Sequence, residues 1–227
     1  LSANVYKQVI LAPRVAKSCE PGQFIILRVD ENGERIPLTS CDYDREAGTI
    51  TIVFQEVGAS TTKMGELKAG DSFRDFTGPL GCASEFVHED LESLKNKKML
   101  FVAGGVGAAP VYPQVKWLKA HGIDADVIVG AKTKDMLILE DQMEAVAGNY
   151  YPCTDDGSYG HAGMVTTMVE ELVNNGNKYD VCVAIGPMIM MKFVCLLTKQ
   201  LNIPTIVSMN PIMVDGTGMC GACRLQV

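Results

Sequence analysis

One stretch, residues 99–118 (MLFVAGGVGAAPVYPQVKWL), constrains the fold more than any other, because an apolar strand, a glycine-rich turn and an amphipathic helix follow one another without a break. The run 99–103 is short and apolar. Gly104, Gly105 and Gly107 remove side chains that would hold a ligand away from the backbone. Pro110 suits a first helical turn, Val111, Val115 and Leu118 recur at helical spacing, and Gly122 ends the pattern. A helix that begins just beyond exposed amides attracts anions. The order GGxGAAP is not the G-x-G-x-x-G fingerprint, and the acidic residue expected about 20 positions on is divided between Asp124 and Asp126. On this stretch alone, an anion cradle and an ordinary tight turn both stay open.

The hydrophobic period differs on the two sides of residue 98. Before it, β-prone runs at 24–29, 49–54 and 72–76 are separated by turn signals at Pro21-Gly22, Ala47-Gly48 and Gly70-Asp71. Asn32-Gly33 is a hairpin signal that sets 24–29 against the segment beginning near Arg35. Five or six short strands at this spacing predict a small N-terminal antiparallel β-barrel. After residue 98, strand-like runs at 99–103, 125–129 and 180–185 alternate with helical patterns at 110–120, 164–175 and 187–201, which predicts a parallel-sheet α/β domain. In the last helix Met190, Val194, Leu197 and Leu201 share a face. The charged stretch 86–98 is the expected link. The expected division is a β-barrel over 1–90, an α/β domain over 91–208 and a short cysteine-containing segment over 209–227.

A net charge of -7 argues against a surface built for nucleic acid, and no apolar run is long enough to span a bilayer. Leu1 in place of Met is compatible with a trimmed terminus, and no signal-peptide pattern precedes the first polar residues. Cys19, Cys41, Cys82, Cys153, Cys182 and Cys195 are scattered, several in apolar runs. That distribution is not a secreted disulfide framework and points to a reducing, cytoplasmic location. His88, His121 and His161 have no metal-ligand spacing, and Gly-x-Ser-x-Gly is absent, so the chemistry is expected from cofactors.

Three segments of the first half combine groups that suit an anion or a flat ligand. Arg35-Ile-Pro37-Leu38-Thr39-Ser40 pairs a cation with hydroxyls around a rigid proline, and Val57-Gly58-Ala-Ser60-Thr61-Thr62 opens a helix with hydroxyls and amides. Gly78-Pro-Leu-Gly81 reads as a turn that lets backbone approach something flat. A solvated hairpin charge, an ordinary cap and an ordinary turn are the plain alternatives. Followed by AGGVGAAP, this order of segments resembles the ferredoxin:NADP reductase superfamily over essentially the whole chain. The resemblance implies that the barrel binds FAD: Arg35 at a flavin phosphate, Pro37, Leu38 and Thr39 against the isoalloxazine, Ser40 beside them among the cofactor-binding residues, and Gly58, Ser60, Thr61 and Thr62 at the pyrophosphate. Leu38 stands where the family often has tyrosine, and Arg35 is one residue further from Thr39 than in one common form of the motif.

By the same resemblance Gly104, Gly105, Val106, Gly107, Ala108 and Pro110 form a nicotinamide-nucleotide turn. Thr154-Asp155-Asp156-Gly157 with Gly160 and Gly163 forms a second nucleotide loop, and Gly186, Pro187 and Met188 lie at the mouth of the site. Asp155 and Asp156 favour ribose hydroxyls over an extra phosphate, which selects NAD over NADP, while Lys132 and Lys134 pull the other way. A solvated acidic turn is the plain alternative.

Asp215-Gly-Thr-Gly-Met-Cys220-Gly-Ala-Cys223 has the spacing of the plant-type iron-sulfur run, with aspartate in the first cysteine's place. It resembles the small electron-transfer subunits of dihydroorotate dehydrogenase B, of sulfide dehydrogenase and of NADH-dependent ferredoxin:NADP oxidoreductase. A [2Fe-2S] centre needs four ligands, and no cysteine follows Cys223 before Val227. The expectation is that this chain alone lacks an intact cluster and that the natural protein continues to a fourth ligand. The resemblance implies a flavin-dependent NAD(P)H oxidoreductase subunit that takes hydride from NADH onto FAD and passes single electrons through [2Fe-2S] to a larger catalytic subunit. A self-sufficient NAD(P)H:ferredoxin-type reductase and a redox-inert nucleotide-binding regulatory subunit are the alternatives.

Overall fold

The computed structural model describes residues 1–226. Two compact units are present, one built from residues 3–84 together with the segment from Asn210 onward, the other from residues 85–209.

In the first unit, period-2 alternation becomes five strands: β1 (Val5–Leu11), β2 (Phe24–Arg28), β3 (Ile36–Asp44), β4 (Thr49–Gln55) and β5 (Asp75–Leu80). They form an antiparallel sheet in the order β1-β4-β3-β2-β5. The Asn32-Gly33 signal produces the expected hairpin, with Leu27 opposite Ile36 and Ile25 opposite Leu38. Two short helices, α1 (Pro13–Ser18) and α2 (Ala59–Glu66), join the sheet around a core of Val15, Ile25, Leu27, Ile50, Ile52, Phe54 and Met64.

Gly78-Pro79 is not a turn but part of β5. Two causes account for this. β5 is the edge of the sheet, where a proline's missing N–H breaks no ladder, and a Cβ on Gly78 would stand 2.7 Å from Ile25 Cγ2. The flat object that Gly81 approaches is the protein's own Phe24 ring, 2.8 Å from where its Cβ would be.

In the second unit the strands are β6 (Met99–Gly104), β7 (Ala125–Ala131), β8 (Asn149–Thr154), β9 (His161–Ala162), β10 (Val181–Ile185) and β11 (Thr205–Val207). They run parallel in the order β11-β10-β6-β7-β8-β9. Every residue of β6 is buried, as expected of a strand covered on both faces. Its helices are α3 (Leu91–Lys95), α4 (Ala108–Ala120), α5 (Glu140–Val146), α6 (Val165–Asn174) and α7 (Met188–Gln200). The stretch read as a link is ordered by a 3-10 turn over Glu85–His88 and by α3, whose cap Asp90 accepts from Ser93 N at 2.9 Å. Val169, Leu172, Cys182, Ala184 and Val194 fill the layer between the sheet and α6 and α7.

Among the described residues no helix is long and apolar enough to cross a membrane. All eight cysteines are free, and Cys19, Cys41, Cys153 and Cys182 are buried. Burial pushes the Cys153 and Cys182 thiols up to about 12, so these side chains behave as small hydrophobes.

Candidate functional site

In the first unit the pleat of β3 divides the expected ligand set. Leu38 packs against the core with Ile36, and Ser40 is almost wholly buried. Pro37 and Thr39, at alternate positions, occupy the opposite face and are half-buried. Leu38 and Ser40 therefore serve the interior, and Pro37 and Thr39 are the residues of this strand that a flat ligand can reach. Arg35 immediately precedes the strand and is well exposed; its Nη2 lies 3.7 Å from Asp75 Oδ2, which is itself 2.7 Å from Arg28 Nε.

The segment around Gly58 is organised by one hydroxyl. Thr61 Oγ1 accepts from Val57 N at 2.9 Å and Gly58 N at 3.0 Å and donates to Gly58 O at 2.9 Å. Its bonding capacity is occupied within the loop, so Thr61 shapes the turn. No side chain caps the first amides of α2, and a Cβ on Gly58 would meet nothing within 4 Å. Open amides beside Ser60 and Thr62 suit an anion. Lys63 Nζ, 2.7 Å from Asp30 Oδ2, ties α2 to the β2–β3 hairpin and holds that carboxyl below the usual range.

In the second unit the chain order reverses beside β6: β7 and β8 extend the sheet on one side, β10 and β11 on the other. Ligands of open α/β sheets bind outside the carboxyl ends of the strands at such a switch point. Gly104–Gly107 and Gly186–Met188 meet there. A Cβ on Gly107 would lie 2.2 Å from Ile185 O, and one on Gly104 would lie 2.4 Å from Met190 Sδ and 2.9 Å from Pro187 Cδ. A Cβ on Gly186 would stand 3.0 Å from Gly104 N. These three glycines are needed for protein to meet protein. Gly105 differs: its φ is +54° and nothing lies within 4 Å of its added Cβ, so it is the glycine of this turn that faces open space. No side chain caps the turn at 105–107 or the start of α4. Val106, Ala108 and Pro110 carry the chain through the turn into α4.

The ends of β7 and β8 are clipped together. Asp155 N donates to Ala131 O at 3.1 Å, Asp156 N to Lys132 O at 3.2 Å, and Lys134 N to Ser158 Oγ at 2.9 Å. Lys134 Nζ sits 4.6 Å from the centre of the Tyr159 ring. Buried Thr154 donates to Tyr159 O and accepts from Tyr159 N, closing the loop from beneath. The Asp156 carboxylate accepts from Ser158 N at 3.0 Å, and bonding from Ser158 holds it below the ordinary carboxyl range. Asp155 is exposed, and its carboxylate accepts no such bond among the described residues. Ser158 and Tyr159 were missed as loop-forming residues because DGSYG reads locally as a solvated turn.

Neither Asp124 nor Asp126 can stand at this end. Asp124 precedes β7 and pairs with Lys119 at 2.8 Å. Asp126, the second residue of the strand, is buried at the amino end of the sheet, accepting from Tyr179 Oη and Asn149 Nδ2, each at 2.7 Å. His161 bonds Thr167 Oγ1 at 2.8 Å and lies 3.2 Å from Glu171 Oε2, while His121 bonds Trp117 O at 2.7 Å.

The C-terminal loop belongs to the first unit, where a Cβ on Gly216 would be 2.4 Å from Ile26 Cδ1 and 3.1 Å from Leu80 Cδ1. Asp215 accepts from Thr217 N and Cys220 N, both at 2.9 Å, and these amides hold its carboxyl below the usual range. Cys220 and Cys223 are exposed. Thiolate and carboxylate donors are the right chemistry for iron, but among the described residues no three potential ligands gather into a metal site.

The chain is 62% identical over 228 residues to an uncharacterized protein in the adh 3' region of Clostridium beijerinckii, an alignment covering all of this chain and 77% of that protein. It is 44% identical over 227 residues to a dihydroorotate dehydrogenase B (NAD(+)) electron transfer subunit homologue of Thermotoga maritima, again covering all of this chain and 77% of the relative. Among solved structures, one described as the NADH-dependent reduced ferredoxin-NADP oxidoreductase superposes with a TM-score of 0.88 at 42% identity, covering 98% of this chain and 78% of that one. No family model matches.

Proposed function

Because this chain belongs to the electron-transfer subunits of the ferredoxin:NADP reductase superfamily, we propose that it takes hydride from NADH onto FAD and hands electrons singly to a larger catalytic oxidoreductase subunit. A flavin supplies a hydride acceptor that can release its two electrons one at a time. The protein's share of the work is placement.

In the first unit, Arg35 and the uncapped amides of α2, with Ser60 and Thr62, hold the cofactor's phosphates, and Pro37 and Thr39 form the strand face beneath its ring. Thr61 keeps the amide loop in shape. Leu38 and Ser40 support that strand from the core. In the second unit, Gly105 and the amides around Val106 receive the dinucleotide's phosphates. Gly104, Gly107 and Gly186 lock β6 to β10 so that this turn is preformed, and Pro187 and Met188 close its rim. Asp155 reads the ribose hydroxyls and selects NADH over NADPH. The observation that carries this reading is Gly105, open on its Cβ side at the sheet's switch point while its neighbours are packed.

Asp215, Cys220 and Cys223 are the donors this chain would offer to a [2Fe-2S] centre completed by a further ligand. The relatives' names support a larger partner subunit. Anaerobic titration of the purified protein with NADH and NADPH tests the reading. Visible flavin absorbance is expected to bleach with NADH first. Bleaching by NADPH alone overturns the nucleotide assignment, and no bleaching by either favours a redox-inert regulatory subunit.

A further inference from the structure

The two lysines that oppose the acidic pair of loop 154–163 are not alike. Lys132 is exposed, and its carbonyl accepts from Asp156 N. Lys134 is held at both ends: its N–H donates to Ser158 Oγ at 2.9 Å, and its Nζ stands 4.6 Å from the centre of the Tyr159 ring. The ring is itself fixed from below. Tyr159 N donates to Thr154 Oγ1 at 3.0 Å, Thr154 Oγ1 donates to Tyr159 O at 2.7 Å, and Thr154 is wholly buried. Gly160, the next residue, is pressed on β8 so closely that an added Cβ would lie 2.1 Å from Pro152 O. At the ring's far edge, bonding to the Glu140 carboxylate raises the phenol's pKa and orients it.

We propose that Tyr159 is a positioning residue for nucleotide choice: its ring withholds the Lys134 ammonium from a ribose 2′-phosphate, leaving Asp155 to face that position. A ribose hydroxyl needs only an acceptor, whereas a 2′-phosphate needs a cation and is repelled by a carboxylate. To recruit Lys134, a phosphorylated nucleotide must first break the contact with the ring. The clasp removes one of two opposing cations, so its effect is bounded by the strength of that contact. This inference rests on the proposed reading of Asp155 as the ribose contact and adds what keeps the opposite charge away from it.

The test uses the full-length chain as purified and calorimetric titration with NAD+ and with NADP+, read as the ratio of the two Kd values. Wild type, Y159L, Y159F, K134M and Y159L/K134M are compared. In Y159L the ratio of the NADP+ Kd to the NAD+ Kd is expected to fall about twofold to fivefold, the worth of one exposed cation–π contact. It is expected to match wild type in Y159F, which keeps the ring, in K134M, which lacks the withheld charge, and in the double variant. A loop that is merely loosened changes both Kd values alike and leaves the ratio where it was. Ring current from Tyr159 is expected to shift the Lys134 ε-protons upfield in the NMR spectra of wild type and Y159F, and the shift is expected to vanish in Y159L. The proposal is overturned by a ratio unchanged in Y159L or by a fall that persists in Y159L/K134M. It is also overturned if K134M alone weakens NADP+ relative to NAD+, since Lys134 would then already serve the phosphate, or if the Lys134 protons of wild type are unshifted. Wild type that binds NAD+ with a ratio indifferent to Tyr159 removes this inference alone, whereas wild type that binds neither nucleotide removes the electron-transfer reading with it.

Discussion

The α-carbon of Gly107 is held so close to the carbonyl of Ile185 that an added methyl would stand 2.2 Å from its oxygen. Backbone meets backbone there, with no flexible side-chain end to yield. Gly107→Ala is therefore expected to push β6 and β10 apart at the proposed dinucleotide turn. Overpacking of this kind costs about 1–3 kcal/mol, and each kcal/mol lowers Tm by roughly 2–4 °C in a chain of this size. Gly105→Ala meets no atom and carries only the left-handed penalty of about 1–2 kcal/mol. Thermal melts with and without NADH check the pair, the expected result being a lower NADH-induced Tm gain in Gly107→Ala.

Thr61 provides a second contrast. Thr61→Val keeps the shape and removes the hydroxyl that two loop amides share, a loss of about 0.5–2 kcal/mol by the usual capping scale. The expected outcome is weaker FAD retention on dilution, restored by Thr61→Ser. Flavin fluorescence after gel filtration measures it.

Loop 154–163 makes a prediction about nucleotide choice. Asp156 already accepts from Ser158 N, and among the described residues Asp155 accepts no such bond. Asp155→Ser is expected to narrow the preference for NADH over NADPH about tenfold, equivalent to roughly 1.4 kcal/mol. Asp156→Asn is expected to act chiefly by loosening the loop, changing affinity for both nucleotides alike. Steady-state reduction of ferricyanide with each nucleotide separates the two.

At the opposite end of the sheet, Tyr179 Oη donates to buried Asp126. Burial first, then the bond to that carboxylate, pushes the phenol far above its ordinary value. The native state thus keeps a proton that the unfolded chain releases near pH 10, so this contribution to stability is complete below pH 10 and declines as pH rises toward the folded-state value. Tyr179→Phe leaves Asp126 short of a donor and is expected to cost about 1–3 kcal/mol at neutral pH. The same exchange should flatten the alkaline limb of a Tm-against-pH series while leaving NADH binding unchanged.

Much of this was legible in the residues. Alternation between Val5 and Phe76, the Asn32-Gly33 hairpin and the unbroken apolar run of β6 each announce a local period that tertiary packing then respects. Helix α5 was not legible, since it is only about two turns long, with Met143 alone buried and a left-handed Leu139 at its start. β8 was hidden by Pro152, and β5 was displaced by a Gly-Pro pair that an edge strand tolerates. At the candidate site the residue types could be read, but their division of labour could not. Which of Gly104, Gly105 and Gly107 faces space, and which of Leu38 and Thr39 faces the core, depends on neighbours distant in sequence.

Gly216 fixes something that chain order conceals. Its seat on Ile26 and Leu80 returns the loop of Asp215, Cys220 and Cys223 to the unit built from residues 3–84, so residues 85–209 are, topologically, an insert between two segments of that unit. The proposed exit for electrons shares one body with the proposed flavin seat. The entry for NADH is then an exchangeable cassette, free to change its nucleotide preference without altering the length of the path from flavin to outgoing ligand loop.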